Sequence, residues 1–167
     1  TRIGGMISAI QQGFSKKSGK PYAMITLEDL DGTWQVLCMN ENFDNYRHLF
    51  EPNKPLMIIG EVNNAEDRPK IFPQELMPLE EAPARFTQQV HFRIPMESCS
   101  PEKLELLMQL VQTHKGNCPI ILCFMKSGGH FAFMETHEKY QVLPGSVIQE
   151  AVEDLLGDHA YYVKVDQ

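Results

Sequence analysis

Long hydrophobic runs are absent from this chain of 167 residues, whose unbroken apolar stretches extend over only a few residues. A helix needs about 20 consecutive apolar residues to cross a bilayer, so we expect a soluble, cytoplasmic protein without a membrane partner. The opening TRIGG has neither a basic region nor a hydrophobic one, which argues against a secretory signal. Because the chain opens on Thr and enters a strand-like run at once, we interpret it as a fragment of a larger protein.

Cysteine and basic residues are also scarce. The four cysteines include no Cys-x-x-Cys pair, and this spacing predicts reduced thiols. Lys and Arg number 15 against 22 Asp and Glu, which gives a net charge of −7. A protein that binds phosphate over its whole surface would need the opposite balance. Any contact with nucleic acid must therefore be local and electrostatically weak.

The most regular pattern in the chain lies in residues 20–40, KPYAMITLEDLDGTWQVLCMN. This segment contains two runs, and along each run the residues of one apolar set alternate with the residues of a second set. Alternation with a period of two is typical of strands that bury one face. Asp31-Gly32 separates the runs and predicts a tight hairpin. The predicted buried face holds Ala23, Ile25, Leu27, Trp34, Val36 and Cys38. The predicted outward face holds Tyr22, Met24, Thr26, Gln35 and Leu37.

Five strand-like runs occupy the first half of the chain, at residues 2–11, 20–29, 33–39, 55–63 and 68–77. The segment ENFDNYRHLF, between the third and fourth runs, has its aromatic residues at spacings of three and four and predicts a short helix. Five strands with a helix at this place predict an OB-fold, an all-β five-stranded Greek-key barrel, over residues 1–79. Gly4-Gly5 and Gly60 are candidates for the sharp bends of a closing barrel. A generic antiparallel sheet is the alternative that the pattern leaves open.

A second domain is predicted after a linker. Residues 80–89 mix charge, Ala and Pro without a sustained apolar period, which is typical of a linker. Residues 90–167 predict a small α+β domain with its elements in βαββαβ order. The predicted elements are residues 90–95, 101–115, 119–125, 130–136, 146–156 and 160–165.

The two helices of this domain have recognisable ends. Ser100, followed by proline, is the candidate N-cap of the first helix. Ser146 and Gln149 have the spacing of a capping box at the second. Gly116 and Gly157 are expected to end the helices, and both helices are expected to cover one face of the sheet.

The loop between the first two strands, GFSKKSGKP, is the candidate for phosphate contacts because it carries Lys16, Lys17 and Lys20. The outward face of the hairpin beside it offers flat or polarizable side chains that can support the bases of a single strand. The loop over residues 63–70 adds Arg68 and Lys70, whose charge two neighbouring acidic residues partly cancel. The candidate nucleic-acid-binding residues are Lys16, Lys17, Lys20, Tyr22, Met24, Thr26, Gln35, Arg68 and Lys70. A merely solvated hairpin is the alternative interpretation of the lysine cluster.

No catalytic, metal or cofactor site can be identified in the sequence. The loop over residues 13–21 superficially resembles a nucleotide-binding P-loop, but it has Pro21 where Ser or Thr must bind magnesium, and it precedes a strand. Glu135 and His137 lie two positions apart and lack a third metal ligand. The segment QELMP resembles a sliding-clamp peptide only by chance, since it lies in a barrel strand. We therefore predict no catalytic residues, no metal and no cofactor.

Several segments together resemble the C-terminal part of the alpha subunit of bacterial DNA polymerase III, of the DnaE type. They are RIGGMISAI, the lysine-rich turn, YAMITLEDLDG, WQVLCMNENFDNYRHLF and LMIIGEV. The family pattern reads Lys-Gly-Lys-Pro, an apolar pair, Thr-Leu-Glu-Asp and Gly. This sequence supplies Ser18-Gly19-Lys20-Pro21, then Thr26-Leu27-Glu28-Asp29 and Gly32. The ending LLGDHAYYVKVDQ is also similar to the end of that subunit, so the resemblance covers the whole chain. Met24 departs from the pattern, because relatives often carry an aromatic residue there.

The resemblance implies a C-terminal fragment of a replicative polymerase. It implies an OB module of the tRNA-synthetase anticodon kind that contacts single-stranded template DNA, followed by a terminal domain that binds the clamp-loader tau subunit. The parent chain would be a DNA-directed DNA polymerase, a nucleotidyltransferase, with its catalytic residues outside this fragment and the remainder of the polymerase as a partner. A net charge of −4 over residues 1–82, from 8 basic and 12 acidic residues, predicts micromolar or weaker affinity for DNA.

Two other functions are compatible with the same sequence. In the first, the chain is purely a protein-docking module, whose barrel docks on the polymerase without intrinsic nucleic-acid binding and whose terminal domain binds tau. The net charge favours this alternative, whereas the lysine loop favours DNA. In the second, the barrel is the anticodon-binding domain of a class II tRNA synthetase, but the catalytic motifs that normally follow such a domain are not found after residue 90.

Overall fold

The computed structural model describes residues 1–65 and 69–166. The chain divides into two compact units, residues 1–82 and residues 83–167. Among the helices of the described residues, none combines the length and the apolar character that a membrane crossing requires.

The first unit is built from five strands and one short helix. In chain order they are β1 (Arg2–Phe14), β2 (Pro21–Glu28), β3 (Thr33–Met39), α1 (Glu41–Tyr46), β4 (Pro55–Asn63) and β5 (Lys70–Pro78). The strands pair in the order β1-β2-β3-β5-β4, and β4 pairs with β1, which gives a closed barrel. Strands β3 and β5 run parallel, whereas the other neighbours are antiparallel. The predicted five-stranded OB-fold domain is confirmed, with its helix between the third and fourth strands.

The interior of the barrel is filled by the apolar residues that alternate along the strands. In β2 and β3, the predicted core residues Ala23, Ile25, Leu27, Val36 and Cys38 are fully buried. The core is completed from other elements by Ile7, Phe43, Phe50, Leu56, Ile58, Ile71 and Leu76. Removal of this apolar surface from water is the main term that stabilises the barrel, at about 25 cal/mol for each Å² buried.

Trp34 differs from the prediction that it belongs to the buried core. Its side chain packs against the core cluster but is only partly buried. The reason is polar, since the indole Nε1 donates a hydrogen bond of 2.8 Å to the carboxylate of Asp29 in the hairpin turn. The tryptophan therefore lies at the rim of the barrel, with its ring against the core and its nitrogen toward the turn.

Glycine has a different role in β1 from the one that the sequence suggested. The register shift of β1 lies between Ile7 and Ala9, and not at the glycine pair of positions 4 and 5. A Cβ at Gly5 would lie 2.6 Å from the carbonyl oxygen of Glu28, so glycine permits a close approach of two backbones there. In β4 the prediction is confirmed, because a register shift lies between residues 59 and 60 and so involves Gly60.

Helical turns follow β5 where a linker was predicted. A 3-10 turn, Leu79–Glu81, leads into α2 (Ala82–Phe86), and β6 (Thr87–Pro95) begins directly afterwards. Secondary structure thus runs through residues 80–89, which the sequence predicts as a linker. Helices of three to five residues are too short to show an apolar period, which explains the difference.

The second unit contains β6 and an arrangement of two longer helices and four further strands. They are α3 (Pro101–Thr113), β7 (Lys115–Lys126), β8 (His130–Glu135), β9 (Gln141–Val142), α4 (Ser146–Leu156) and β10 (Tyr161–Val165). The sheet has the order β10-β6-β7-β8, in which β6 and β7 are parallel, and β9 pairs with β7. The order from β6 onward is therefore β-α-β-β-β-α-β, one strand more than the predicted βαββαβ. A strand of two residues has no measurable period, so the sequence did not reveal β9.

One face of this sheet packs against α3 and α4. Alternate residues of β6, Val90, Phe92 and Ile94, are buried in the same cluster as Val111 of α3 and Val152 of α4. The intervening residues of β6, among them His91 and Arg93, line a groove on the sheet with residues of β8 and β10.

The ends of the two helices follow the predictions in part. Ser100 is the N-cap of α3, and its hydroxyl accepts a backbone hydrogen bond of 3.2 Å from the first turn. The predicted capping box of α4 is wrong, because Gly145 occupies the N-cap position and Ser146 is already the first helical residue. Gly157 ends α4 with a φ of 106°, as predicted. Gly116 does not end α3 but lies within β7.

Candidate nucleic-acid interface

The outward side of the β2–β3 hairpin carries four of the predicted binding residues on two adjacent strands. Because alternate residues of β2 are buried in the barrel, Tyr22, Met24 and Thr26 project outward, and each is half-buried. Strand pairing sets Gln35 opposite Thr26 and Leu37 opposite Met24. We call Tyr22, Met24, Thr26 and Gln35 the hairpin face. It extends over about 13 Å along β2, at about 3.3 Å for each residue.

One end of the hairpin face is polar. The Nε2 atom of Gln35 donates a hydrogen bond of 3.0 Å to the Oγ1 atom of Thr26. This bond fixes the two side chains relative to each other and leaves the amide oxygen of Gln35 able to accept a further hydrogen bond. This end of the face can therefore bind polar groups, whereas the surface suited to a stacked base lies at Met24 and Tyr22.

The other end of the hairpin face is aromatic. Tyr22 is paired with Gly13 of β1, and a Cβ on that glycine would lie 3.1 Å from the tyrosine hydroxyl oxygen. The ring of Tyr22 therefore lies over the glycine, where any larger side chain would displace it. A ring supported in this way is a suitable platform for one nucleobase, with a contribution of roughly 1 to 3 kcal/mol for each stacked base.

The predicted lysines lie in the loop that joins β1 to β2, directly before Tyr22. The loop is closed by two backbone hydrogen bonds, from the N–H of Ser15 to the carbonyl of Lys20 at 2.8 Å and from Gly19 to Ser15 at 2.7 Å. Gly19 has a φ of 69°, a conformation that favours glycine. Lys16, Lys17 and Lys20 are exposed on this loop. Three ammonium groups thus lie beside the aromatic end of the hairpin face.

Lys70 comes next to the hairpin face through the tertiary fold. In the parallel pair of β3 and β5, Lys70 is the register partner of Gln35. Since the loop lysines precede Tyr22 at the opposite end, the basic residues lie at both ends of the face. Arg68, the remaining predicted residue, lies outside the described residues.

Two further residues beside this surface were not predicted. Phe72 follows Lys70 by two positions on β5, and it lines a small groove together with Leu37 and Met39 of β3. The sequence contains one signal for Phe72, because its parity with Lys70 puts both on the same side of the strand. Phe14 is exposed by 75% at the end of β1, just before the lysine loop, and its exposure could not be read from the alternation.

An acidic residue moderates the charge of the lysine end. A polar concavity of about 450 Å³ is lined by Lys20 together with Glu41 and its neighbours Met39, Asn40 and Asn42. The carboxylate of Glu41 reduces the positive potential that Lys20 offers to a phosphate. Together with the net charge of residues 1–82, this proximity predicts weak and salt-sensitive binding.

The turn between β2 and β3 is held by Asp29. Its Oδ1 atom accepts hydrogen bonds from the N–H groups of Asp31 and Gly32, both at 2.8 Å, while Oδ2 accepts the bond from Trp34. The hydrogen bond from the indole, followed by those from the backbone, lowers the pKa of this carboxyl below its ordinary value. The ionised carboxylate thus fixes the turn that joins β2 to β3, the two strands that carry the hairpin face.

The described residues contain no group of three His, Cys, Asp or Glu side chains that could hold a metal ion. The two residues Glu135 and His137 therefore have no third ligand within that part of the chain. The arrangement on the barrel offers phosphate contacts, a stacking ring and hydrogen-bonding groups.

Comparison with known protein families agrees with the barrel. Residues 1–79 match the family model of the tRNA anti-codon type, described as an OB-fold nucleic acid binding domain. A solved structure, the second OB-fold domain of replication protein A from Methanococcus maripaludis, has 18% identity and a TM-score of 0.37, and the match covers 47% of this chain and 82% of that one.

Similar curated proteins are alpha subunits of bacterial DNA polymerase III. The subunit of Saccharopolyspora erythraea is 26% identical over 123 residues, which cover 71% of this chain and 10% of the relative. That of Pseudomonas aeruginosa is 23% identical over 157 residues, which cover 93% of this chain and 13% of the relative. The chain thus spans only about an eighth or less of the length of these relatives.

Proposed function

We infer that this chain, which carries an OB-fold nucleic-acid-binding domain and is homologous to the alpha subunit of bacterial DNA polymerase III, takes part in DNA replication. Its barrel contacts single-stranded DNA as the C-terminal fragment of a cytoplasmic replicative polymerase. The parent chain is a DNA-directed DNA polymerase, and its catalytic residues lie outside these 167 residues.

One observation carries the proposal. The loop with Lys16, Lys17 and Lys20 adjoins Tyr22, whose ring lies over Gly13, so that cationic and stacking groups meet at one end of the hairpin face. OB-folds usually bind single strands without sequence preference in this way. Lysines contact the phosphates of the nucleic acid, while aromatic rings stack on its bases. Lys70, next to Gln35, supports an extension of the path across β3 to β5.

The test is a titration of a fluorescently labelled oligo-dT with the full chain, followed by fluorescence anisotropy at several salt concentrations. If the three loop lysines each contact one phosphate, log K should fall with log salt at a slope of about −2, which is 0.7 for each contact. The variant K16E/K17E/K20E should lose measurable binding. Lys54→Glu is the control, because Lys54 forms an ion pair of 2.7 Å with Glu51, away from the loop.

The second unit is proposed to bind the clamp-loader tau subunit. Support comes from α3, where Leu104 and Met108 are exposed by 39% and 42%. Leu104 and Met108 also line an apolar groove of about 390 Å³ with Met134 and Tyr140. Exposed apolar area of this kind is typical of a surface that binds a protein partner.

Calorimetric titration with purified tau tests this part separately. Met108→Lys puts a charge into the groove and should weaken tau binding about tenfold or more. Leu106→Lys is the matched control, since it makes the same change on the same helix outside the groove lining. The K16E/K17E/K20E variant should bind tau like the unmodified chain. Loss of tau binding in that variant would contradict the assignment of DNA binding to the first unit and of tau binding to the second.

A protein-docking module without nucleic-acid binding is the second candidate. The acidic balance of residues 1–82 and the place of Glu41 beside Lys20 favour it. In that case the barrel would contact the remainder of the polymerase. Anisotropy that does not rise at high protein concentration and low salt would favour the docking module and exclude the single-strand proposal.

A further inference from the structure

The sheet of the second unit has an accessible face opposite α3 and α4. A groove of about 490 Å³ runs across it, and residues of β6, β8 and β10 line it. We call the following six lining residues the open sheet face: His91, Arg93, Phe131, Phe133, Tyr162 and Lys164. The groove extends over three strand spacings, from β10 to β8, or about 14 Å.

Charge is segregated between the two sides of this unit. Residues 83–167 carry seven basic and ten acidic side chains, so the unit as a whole is acidic. Five of the acidic residues lie on the helices, namely Glu102, Glu105, Glu150, Glu153 and Asp154. Among the described residues that line the groove, none has a carboxylate, whereas Arg93 and Lys164 are cationic. Glu135 of β8 is not among these lining residues, although strand pairing sets it in one row with Ile121 and His91.

An arginine is held over an aromatic ring on this face. The guanidinium carbon of Arg93 lies 3.5 Å from the centroid of the Tyr162 ring, on the neighbouring strand β10. This cation–π contact orients the guanidinium, and the N–H groups at its edge remain able to bind phosphate oxygens. Burial, followed by the charges of Lys164 and Arg93, lowers the pKa of His91. The positive charge near neutral pH therefore comes from the arginine and the lysine.

Two phenylalanines project from the edge strand beside these cations. Phe131 and Phe133 are two positions apart on β8, and they are exposed by 58% and 67%. Phe133 is the register partner of Cys123, which in turn is the partner of Arg93. A row of cation, small thiol and aromatic ring thus crosses the sheet. Neither phenylalanine contributes to the buried core of the unit, so packing does not explain them.

We propose that the open sheet face is a second surface for single-stranded nucleic acid, separate from the hairpin face of the barrel. Arg93 and Lys164 bind phosphates, while Phe131 and Phe133 stack on bases. His91 and Tyr162 are register partners and lie between the two cations. An acidic peptide would satisfy the cations but not two exposed rings in a row. A nucleic acid supplies both anionic groups and flat rings.

Nuclear magnetic resonance of the full, nitrogen-15-labelled chain tests this proposal, with an oligo-dT of about ten nucleotides as probe. We expect amide signals of β6, β8 and β10 to shift in a saturable manner, independently of those of the first unit. Phe133→Leu keeps an apolar side chain at an exposed position but removes the ring. It should weaken the binding that these signals report by about fivefold or more.

A matched pair of charge reversals distinguishes a direct phosphate contact of Lys164 from an effect of the net charge of the protein. Lys164→Glu on β10 should reduce the affinity of the open sheet face severalfold. Lys103→Glu, on α3 at the other side of the sheet, should leave it unchanged. Equal effects of the two variants would overturn the proposal, because they would show that only the net charge matters.

Two further outcomes would also overturn it. Shifts confined to residues 1–82 would exclude this surface while leaving the single-strand function of the barrel intact. Poly-L-glutamate that shifts the same amides as strongly as oligo-dT would assign the surface to an acidic peptide. Shifts in β6, β8 and β10 without any in the barrel would support the open sheet face and contradict the proposed function of the hairpin face.

Discussion

The indole of Trp34 and the carboxylate of Asp29 join the two ends of the β2–β3 turn, with 2.8 Å between Nε1 and Oδ2. The same carboxylate accepts two backbone hydrogen bonds within the turn. The half-buried ring of Trp34 is thereby held against the barrel core, which couples the conformation of the turn to the packing of the barrel.

Asp29→Asn should destabilise the first unit and reduce its sensitivity to acid. The hydrogen bonds lower the pKa of the carboxyl in the folded state, so the stability they provide is present above the unfolded pKa of about 3.9 and is lost as the pH falls through the folded value. Urea unfolding followed by Trp34 fluorescence, at neutral pH and below pH 4, measures both effects. Since Trp34 is the single tryptophan, the signal reports this unit.

Asp31→Asn is the control for that measurement. It removes a negative charge from the same turn but leaves the bond between Asp29 and Trp34 in place. Equal destabilisation by the two variants would mean that the turn responds to charge and not to the hydrogen bonds.

Tyr22→Ala should weaken the binding of oligo-dT by roughly 1 to 3 kcal/mol, or about 5-fold to 150-fold, because the ring over Gly13 is the aromatic platform of the hairpin face. Tyr22→Phe keeps the ring and should bind with unchanged affinity. Fluorescence anisotropy measures both variants. A loss of similar size with phenylalanine would assign the effect to the hydroxyl and contradict stacking.

Gly60→Ala should destabilise the barrel by about 1 to 3 kcal/mol. A Cβ at this position would overlap the backbone carbonyl oxygen of Phe72 on the neighbouring strand, and a paired backbone cannot move aside. Gly13→Ala makes the same substitution where the nearest group is the side chain of Tyr22, at 3.1 Å, and this side chain can move. Urea unfolding should therefore show a clearly smaller loss for Gly13→Ala, and the reverse order would refute the explanation.

Cys38 should be the last thiol to react in the native protein, and Cys99 the first. Burial inside the barrel raises the pKa of Cys38 to about 12, so the reactive thiolate is almost absent at neutral pH. Cys99 is only half-buried, whereas Cys118 and Cys123 are buried. Pulsed alkylation with mass mapping of the peptides measures the order, and all four should react alike in denaturant. Early labelling of Cys38 would show that the barrel opens locally.

The local sequence pattern was sufficient to predict much of the fold. The alternation in residues 20–40 predicted the buried face of β2 and β3, because one side of each strand faces a closed apolar interior. Ser100 was predicted as an N-cap because capping depends on a few neighbouring residues. The cap of α4 was predicted wrongly, since the backbone at Gly145 and not the serine hydroxyl begins that helix.

The candidate surfaces were predicted less completely. The sequence indicated the loop lysines and the hairpin face, which are adjacent along the chain. For Phe72 it contained only the parity with Lys70, because the place of Phe72 beside Leu37 and Met39 depends on the parallel pairing of β3 with β5. The rim position of Trp34 was also missed, because alternation predicts the side of a strand but not a hydrogen bond across a turn.

By itself the sequence determined the strand and helix pattern, the OB class of the first unit, and the loop that carries three lysines. These features follow from side-chain period, turn residues and charge, all of which act over a few positions. Only the tertiary structure placed Lys70 beside Gln35 and brought Arg93 over Tyr162. Pairing between strands that are distant in the chain depends on how the whole apolar surface is buried, and no local pattern contains that information.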